Sequence, residues 1–496
     1  MAVQSQLRSG FPLLLAISFA STAQGATLLE AVQQRDASAV RALLAERADP
    51  NAQDTDGSTP LLYAAHSASA DMVGALLAGG ADPNIANRYG MAPIHEAAMV
   101  ADPALLTALL DAGAQVDHAL PEGETPLMLA SRTSGIAAVE LLIARGANVN
   151  VVERWQGQTP LMYAVVRNRA QVAAALIAAG ADVNAKTLLN VLPERIPAAR
   201  FNVEFTSGGM TPVLFAARDG AADALRVLIE GGANLDTPTP EGFTPLVLAI
   251  HNLHYDAAKV LIEAGASPNG GALYAVVNSR NRVPLDGPHR YPTGTATELE
   301  LLAAMLERGA DLLDRPPQPL PDRDVGFGAV PTKPVDTAMI RAARSADLQA
   351  MQLLVSAGAD PVLPEPDGFN SVLAVTAGPE IPLLTVVDRE RPAEPDAIAA
   401  LDFLLERGAD VDAADGMGVT AMHTLAKRGY TQVLRFLAER GANLNPVDRA
   451  GRTPLDYALG RSPVFFGKPP ESPAAAAVLR ELGAQEGAAA GALARQ

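Results

Sequence analysis

Residues 57–90 read GSTPLLYAAHSASADMVGALLAGGADPNIANRYG, and this stretch decides the fold. Thr59 stands immediately before Pro60. A threonine hydroxyl at an N-cap accepts a bond from an otherwise orphaned backbone N–H. Proline at the first helical position sacrifices no hydrogen bond and has its φ already set for the helix. A first helix is therefore predicted from Pro60, with small residues at Ala64-Ala65 that allow close neighbours. Met72, Val73, Leu76 and Leu77 follow at i, i+1, i+4 and i+5, the stripe of a second helix buried on one side. Gly80 can take the left-handed conformation that ends a helix without a Cβ penalty. A polar segment, Ala81-Asp82-Pro83-Asn84, and a loop ending at Gly90 lead to Ala92-Pro93, where the sequence starts again.

Working outward, the terminating glycine recurs as Gly80, Gly113, Gly146, Gly180, Gly232, Gly265, Gly309, Gly358, Gly408, Gly441 and Gly483, each followed by alanine, and five of the ten gaps are 33 or 34 residues. The helix start recurs in register as Thr125-Pro126, Thr159-Pro160, Thr211-Pro212, Thr244-Pro245, Thr420-Ala421 and Thr453-Pro454. A strict period of this length means one small unit stacked many times, with each unit burying its apolar face on the next. Half of the 496 residues are apolar and only 4% aromatic, which suits tightly stacked helices.

Helix–turn–helix units of this length with TPLxxAA and LLxxGADPN resemble ankyrin repeats. Twelve units begin near Ala26, Gly57, Gly90, Gly123, Gly157, Gly209, Gly242, Gly270, Val335, Gly368, Gly418 and Gly451. The resemblance covers 26–484 and implies an all-α solenoid with short β-hairpin fingers. The first unit departs from the pattern. It has Arg47 in place of the glycine, no Thr-Pro, and the polar run Gln33, Gln34, Arg35 and Asp36, as a capping repeat would. Units eight to ten are degenerate, with Gly270-Gly271, Thr337-Ala338 and Asn370-Ser371 at the helix start. Five insertions account for the long gaps. Residues 186–208 and 312–334 fall between repeats; 283–297, 378–396 and 462–473 fall between the two helices of a repeat. They are Pro-rich and carry Phe201, Phe205, Phe327, Leu383, Phe465 and Phe466. Residues 485–496 are expected to form a mobile tail.

The formal charge of −17 disfavours nucleic acid and anionic lipid surfaces as partners. Residues 1–25 have the pattern of a secretory signal peptide: Arg8, an apolar stretch from Phe11 to Ala20, and small residues Ala23 and Gly25 before a cleavage point at Ala26. The expected location is periplasmic or extracellular. No later stretch is apolar for long enough to span a bilayer. With no cysteine, the chain has no disulfide or thiolate metal site.

No phosphate-cradling loop, HExxH or GxSxG occurs. The resemblance implies a bracing role for His95 and His423 at the fourth position of TPLH, and a scaffold role for His254. His251 and His254 at i and i+3 make half a metal site at most, since no third ligand lies nearby. Asp410, Asp412 and Asp415 miss the calcium-loop spacing. No cofactor, metal or catalytic residue is expected.

Partner binding is the expected function, because ankyrin-like proteins bind with their finger tips and inner-helix face. The predicted tips carry Tyr89, Leu120 and Trp155, the chain's single tryptophan. Tyrosine and tryptophan are typical interface anchors. Inner-helix positions add Tyr63, His66, Met99, Arg132, Tyr163, Arg167, Phe215, Arg218, His251, Arg344 and Arg428. The cations among them form an intermittent basic line on an acidic protein, suited to an acidic protein partner. The chain is expected to be monomeric. The alternatives are a secreted effector acting on another cell and, less favoured, an enzyme whose site is built from the insertions.

Overall fold

The computed structural model describes residues 27–191, 206–281, 292–316, 336–377, 392–462 and 471–487. The chain divides into two compact units, residues 1–121 and 122–496. Among the described residues the first holds three helix pairs: Leu28–Gln33 with Ala37–Ala45, Pro60–His66 with Ala70–Ala78, and Pro93–Val100 with Pro103–Asp111. The second holds nine, from Pro126–Ser131 with Ile136–Ala144 to Pro454–Ala458 with Pro473–Leu482. Within each unit successive pairs pack on one another, inner helix to inner helix and outer to outer. The fold is all-α. Residues 1–25, where a signal peptide is expected, and most of each expected insertion, including Phe201, Phe205, Phe327, Leu383, Phe465 and Phe466, lie outside the described residues.

The predicted helix starts form for the predicted reason. Thr59, Thr125, Thr159, Thr211 and Thr244 each sit in extended backbone and accept from the N–H three residues on, with proline following. Every lattice glycine has positive φ, as at Gly80 (+89°) and Gly113 (+91°). Arg47 in the first pair keeps the same left-handed conformation at φ +65°. Gln33, Gln34, Arg35 and Asp36 are all exposed. The core is aliphatic: Leu61, Val73, Leu76, Ile94, Leu105 and Leu109 in the first unit and Leu127, Val139, Leu161, Leu176, Leu225 and Leu261 in the second have no exposed surface.

In the described residues the finger loops are tight turns, closed by backbone bonds such as Asp54 N–H to Ser58 O at 3.1 Å, and one finger carries an antiparallel bridge between Ala414 and Thr420. Asp54 illustrates the device. Its carboxylate accepts from the N–H of Asp56 and Ser58, at 2.8 and 2.9 Å, and folds the loop over itself. Asn87, Asp415 and Asp448 repeat it. One short side chain thus supports the backbone bond that closes the loop. The one named strand pair, Asn190–Val191 with Thr206–Ser207, is antiparallel and opens the first insertion. Three other boundaries are informative. Helix Glu394–Leu405 begins inside the expected 378–396 insertion. Thr295 and Ala296 N–H groups bond Asp256, tying the end of the 283–297 insertion to an outer helix. Gln485 and Gly487, expected in the tail, are bonded to Asn445 and Asp456.

Successive units are also joined by polar rungs. The Asn of each GADPN-type segment reaches the next unit: Asn84 Oδ1 accepts from Gln115 N at 2.8 Å and its amide donates to Gly113 O at 3.0 Å. Asn150 does the same with Asp182 N and Gly180 O. Asn184, Asp236, Asn269, Asp412 and Asn445 supply the acceptor for Asn234, Ser267, Asp311, Asn443 and Gln485. Leu313 and Val362 occupy this register position and can make no rung. The substitution Asn150→Ala is expected to cost about 1 kcal/mol, the net worth of such bonds on a partly solvated edge. A lower urea midpoint with faster amide exchange at Asp182 would show it; an unchanged midpoint would assign the stacking to apolar burial alone.

Candidate partner-binding site

The inner helices Pro126–Ser131, Pro160–Val166 and Pro212–Asp219 lie side by side and present the ends of their last turns together. Arg132, Tyr163, Arg167, Phe215 and Arg218 line one cavity of about 430 Å³ with Gln156, Gln158 and Val166. Five side chains singled out one repeat at a time therefore form one surface.

The charges there are unevenly balanced. Arg218 is held bidentately by Asp219, with both bonds at 2.8 Å, and its guanidinium lies 4.8 Å from the Phe215 ring centroid. Arg132 comes within 4.0 Å of Glu124 and lies over the Tyr163 ring at 5.7 Å. Glu124 is already engaged, since the Tyr163 hydroxyl donates to it at 2.7 Å. Burial and that carboxylate both push the Tyr163 hydroxyl well above its ordinary pKa, so it remains a neutral donor. Arg167 is exposed and makes no side-chain hydrogen bond or ion pair among the described residues. Three guanidiniums thus meet two carboxylates, and Arg167 is the cation left for a ligand. The two aromatic rings add apolar and π surface, and the glutamines add amide donors and acceptors. Such a surface suits a carboxylate-bearing group with apolar flanks.

Trp155 sits beside the cavity in sequence and is 74% exposed. Its turn is held by Glu153, a buried carboxylate that accepts from the N–H groups of Trp155, Gln156 and Gln158. The glutamines and Glu124 went unnoticed in the sequence. Their register was available: Glu124 and Gln158 both stand directly before Thr-Pro.

The remaining candidates are dispersed. In the first unit Tyr89 is 58% exposed under the Arg88 guanidinium, His66 is exposed and bonds Glu96, and Met99 is exposed. Tyr63 is half-buried with its hydroxyl on Asp54, and Leu120 is half-buried rather than displayed at a tip. In the second unit His251 and Arg428 are half-buried. Arg344 contradicts the expected exposed basic line. It is buried, bonds Asp336 at 2.5 Å and lies over the Phe369 ring, so it braces a loop.

The histidines bind the scaffold. His95 Nδ1 accepts from Ala92 N and Nε2 donates to the His118 carbonyl. His423 makes the same two links to Thr420 N and Arg452 O. His254 lies so close to Gly220 that a Cβ there would be 2.6 Å from its Nδ1. Among the described residues no group of three His, Asp or Glu is arranged to hold a metal ion, and no helix is long and apolar enough to cross a membrane.

A family model described as ankyrin repeats (3 copies) matches residues 28–119, 94–187 and 190–271, and one described as ankyrin repeats (many copies) matches 404–458. Similar solved structures include the human ASB11 ankyrin repeat domain, at 23% identity and TM-score 0.39, covering 48% of this chain and 98% of that one. The ankyrin repeat domain of Bcl-3, a member of the IκB family, is similar at 26% identity and TM-score 0.39, with the same coverage. No curated protein matches the chain.

Proposed function

Because the chain belongs to the ankyrin-repeat family, whose repeats serve as protein-interaction scaffolds, we propose that it is a scaffold that captures an acidic protein partner at the cavity lined by Arg132, Arg167 and Arg218. The observation that carries the proposal is Arg167, an exposed cation without a counter-charge among the described residues, set with two other arginines and two aromatic rings. Electrostatic complementarity of this kind speeds encounter and selects the partner's charge. Trp155 beside it is the natural anchor for an apolar flank. The proposal includes export, supported by the basic, apolar and small-residue succession in 1–25.

The test is affinity capture with residues 26–496 as bait, from periplasmic extract and from culture medium, which also separates the two destinations. Arg167→Glu is expected to weaken capture of the recovered acidic partner by about tenfold or more, and added salt to weaken the wild-type complex in parallel. Thermal stability should stay unchanged, since the Arg167 side chain makes no bond among the described residues that would be lost. Equal capture by wild type and Arg167→Glu would refute the assignment of this cavity.

A further inference from the structure

Val362 stands where other units place the rung asparagine, and the consequence is a groove. The two-bonded rungs show what that position normally does. Asn150 donates its amide to Gly180 O at 2.9 Å and accepts from Asp182 N at 2.8 Å. One unit's carboxamide thereby satisfies the carbonyl of the next lattice glycine and the N–H two residues beyond it. For Val362 the corresponding groups are Gly408 C=O and Asp410 N–H. Neither has a hydrogen-bond partner among the described residues, and Gly408 and Asp410 both line a cavity of about 420 Å³. Its lining is mixed: Pro361 and Val362 on one loop, Ala413 on the next and Val372 at the start of the inner helix between them are apolar, while Asn370, Ser371 and Asp410 are polar.

We infer that this groove binds an extended segment of a partner protein that presents an asparagine or glutamine side chain between apolar residues. The carboxamide takes the place of the missing rung, donating to Gly408 O and accepting from Asp410 N. Three features select this chemistry. The site offers one acceptor and one donor in the arrangement that a primary amide fills elsewhere in the same molecule. A carboxylate could accept from Asp410 N, as Asp236 and Asp412 do in their own rungs, but here it would leave Gly408 O without a donor and would meet the carboxyl group of Asp410, which also lines the groove. A purely apolar side chain would leave both polar groups desolvated and unpaired, which costs more than its burial gains. The equivalent substitution at Leu313 removes a rung one unit earlier, where Asp360 N likewise has no partner among the described residues, so it provides an internal control.

The test uses the full mature chain, labelled with ¹⁵N, and the probe acetyl-Ala-Leu-Asn-Leu-Ala methyl ester, in which the asparagine is the only primary amide. The Asp410 amide resonance is expected to shift saturably with this peptide. Peptides with Leu or Asp in place of Asn should bind at least tenfold more weakly. Val362→Asn supplies the rung from within. It should retain or raise the thermal transition while weakening the peptide at least tenfold, whereas Leu313→Asn should leave peptide affinity within twofold. Arg167→Glu should also leave it unchanged, which keeps this site distinct from the arginine-lined cavity. Absence of a shift at Asp410, equal binding by the Leu peptide, or undiminished binding by Val362→Asn would each overturn the inference.

Discussion

Lowering the pH from 7 to 5 is expected to weaken the first unit by about 2 kcal/mol through a single side chain, His95. The ring has no exposed surface. Its Nδ1 accepts the Ala92 N–H at 3.0 Å, so the proton sits on Nε2, which donates to the His118 carbonyl at 2.7 Å. A second proton would displace the Ala92 bond and place a charge where no water reaches. Burial accordingly lowers its pKa from 6.5 to about 4. The sign follows from where each state takes up the proton. The unfolded chain protonates His95 as the pH drops through about 6.5, while the folded chain resists until about 4. The stabilisation is complete above the unfolded value and is lost progressively as the pH falls, at about 1.4 kcal/mol per unit. His423 is buried with the same pair of bonds in the second unit, and burial lowers its pKa too, so that unit should show the same direction. Urea titrations at pH 7 and pH 5, followed by amide exchange within 93–100, would measure the effect. His95→Gln should be less stable at pH 7 but lose little more at pH 5; an undiminished pH slope in that variant would remove His95 as the cause.

Asp456→Ala is expected to cost about 3 kcal/mol and to loosen the C-terminal end of the second unit. Asp456 is 1% exposed. Its Oδ2 accepts from Thr453 N at 3.0 Å and Gly487 N at 2.8 Å, while Oδ1 accepts from Arg461 at 2.7 Å. Burial opposes its charge, but these donors outweigh it and hold the carboxyl below its ordinary range. Thr453 Oγ1 also donates to Gln485 O, so the same cluster fastens residues 485–487 across the last inner helix. Without the carboxylate, buried N–H groups lose their acceptor and no apolar contact replaces them. Exchange at Gly487 should rise together with the fall in urea midpoint. Wild-type exchange there would show that apolar packing alone closes the stack.

The residues that shape each unit were legible because they act within a single turn. Thr59 caps the N–H of Leu62, three positions away, and Gly80 ends a helix through its own φ. In the finger loops the sequence pattern left out the side chains that fix the reversal: Asp54, Asn87, Asp415 and Asp448 accept from N–H groups two and four residues on, beside the backbone bond that closes each loop. Arg344 shows the limit for single side chains. Its register matched Arg132 and Arg218, yet Asp336 and the Phe369 ring enclose it, and neither follows from the repeat pattern.

By itself the sequence determined the repeat and its helix starts and stops. These depend on backbone preferences and capping bonds spanning a few residues. The tertiary structure alone decided which candidates meet. Arg132, Arg167 and Arg218 come from three successive repeats and share a cavity because their inner helices pack side by side. It also decided that Val362, an unremarkable residue in sequence, leaves Gly408 and Asp410 lining an open groove. Solvent access and the pairing of charges are set by the neighbouring repeat, and only the packed chain brings that neighbour into reach.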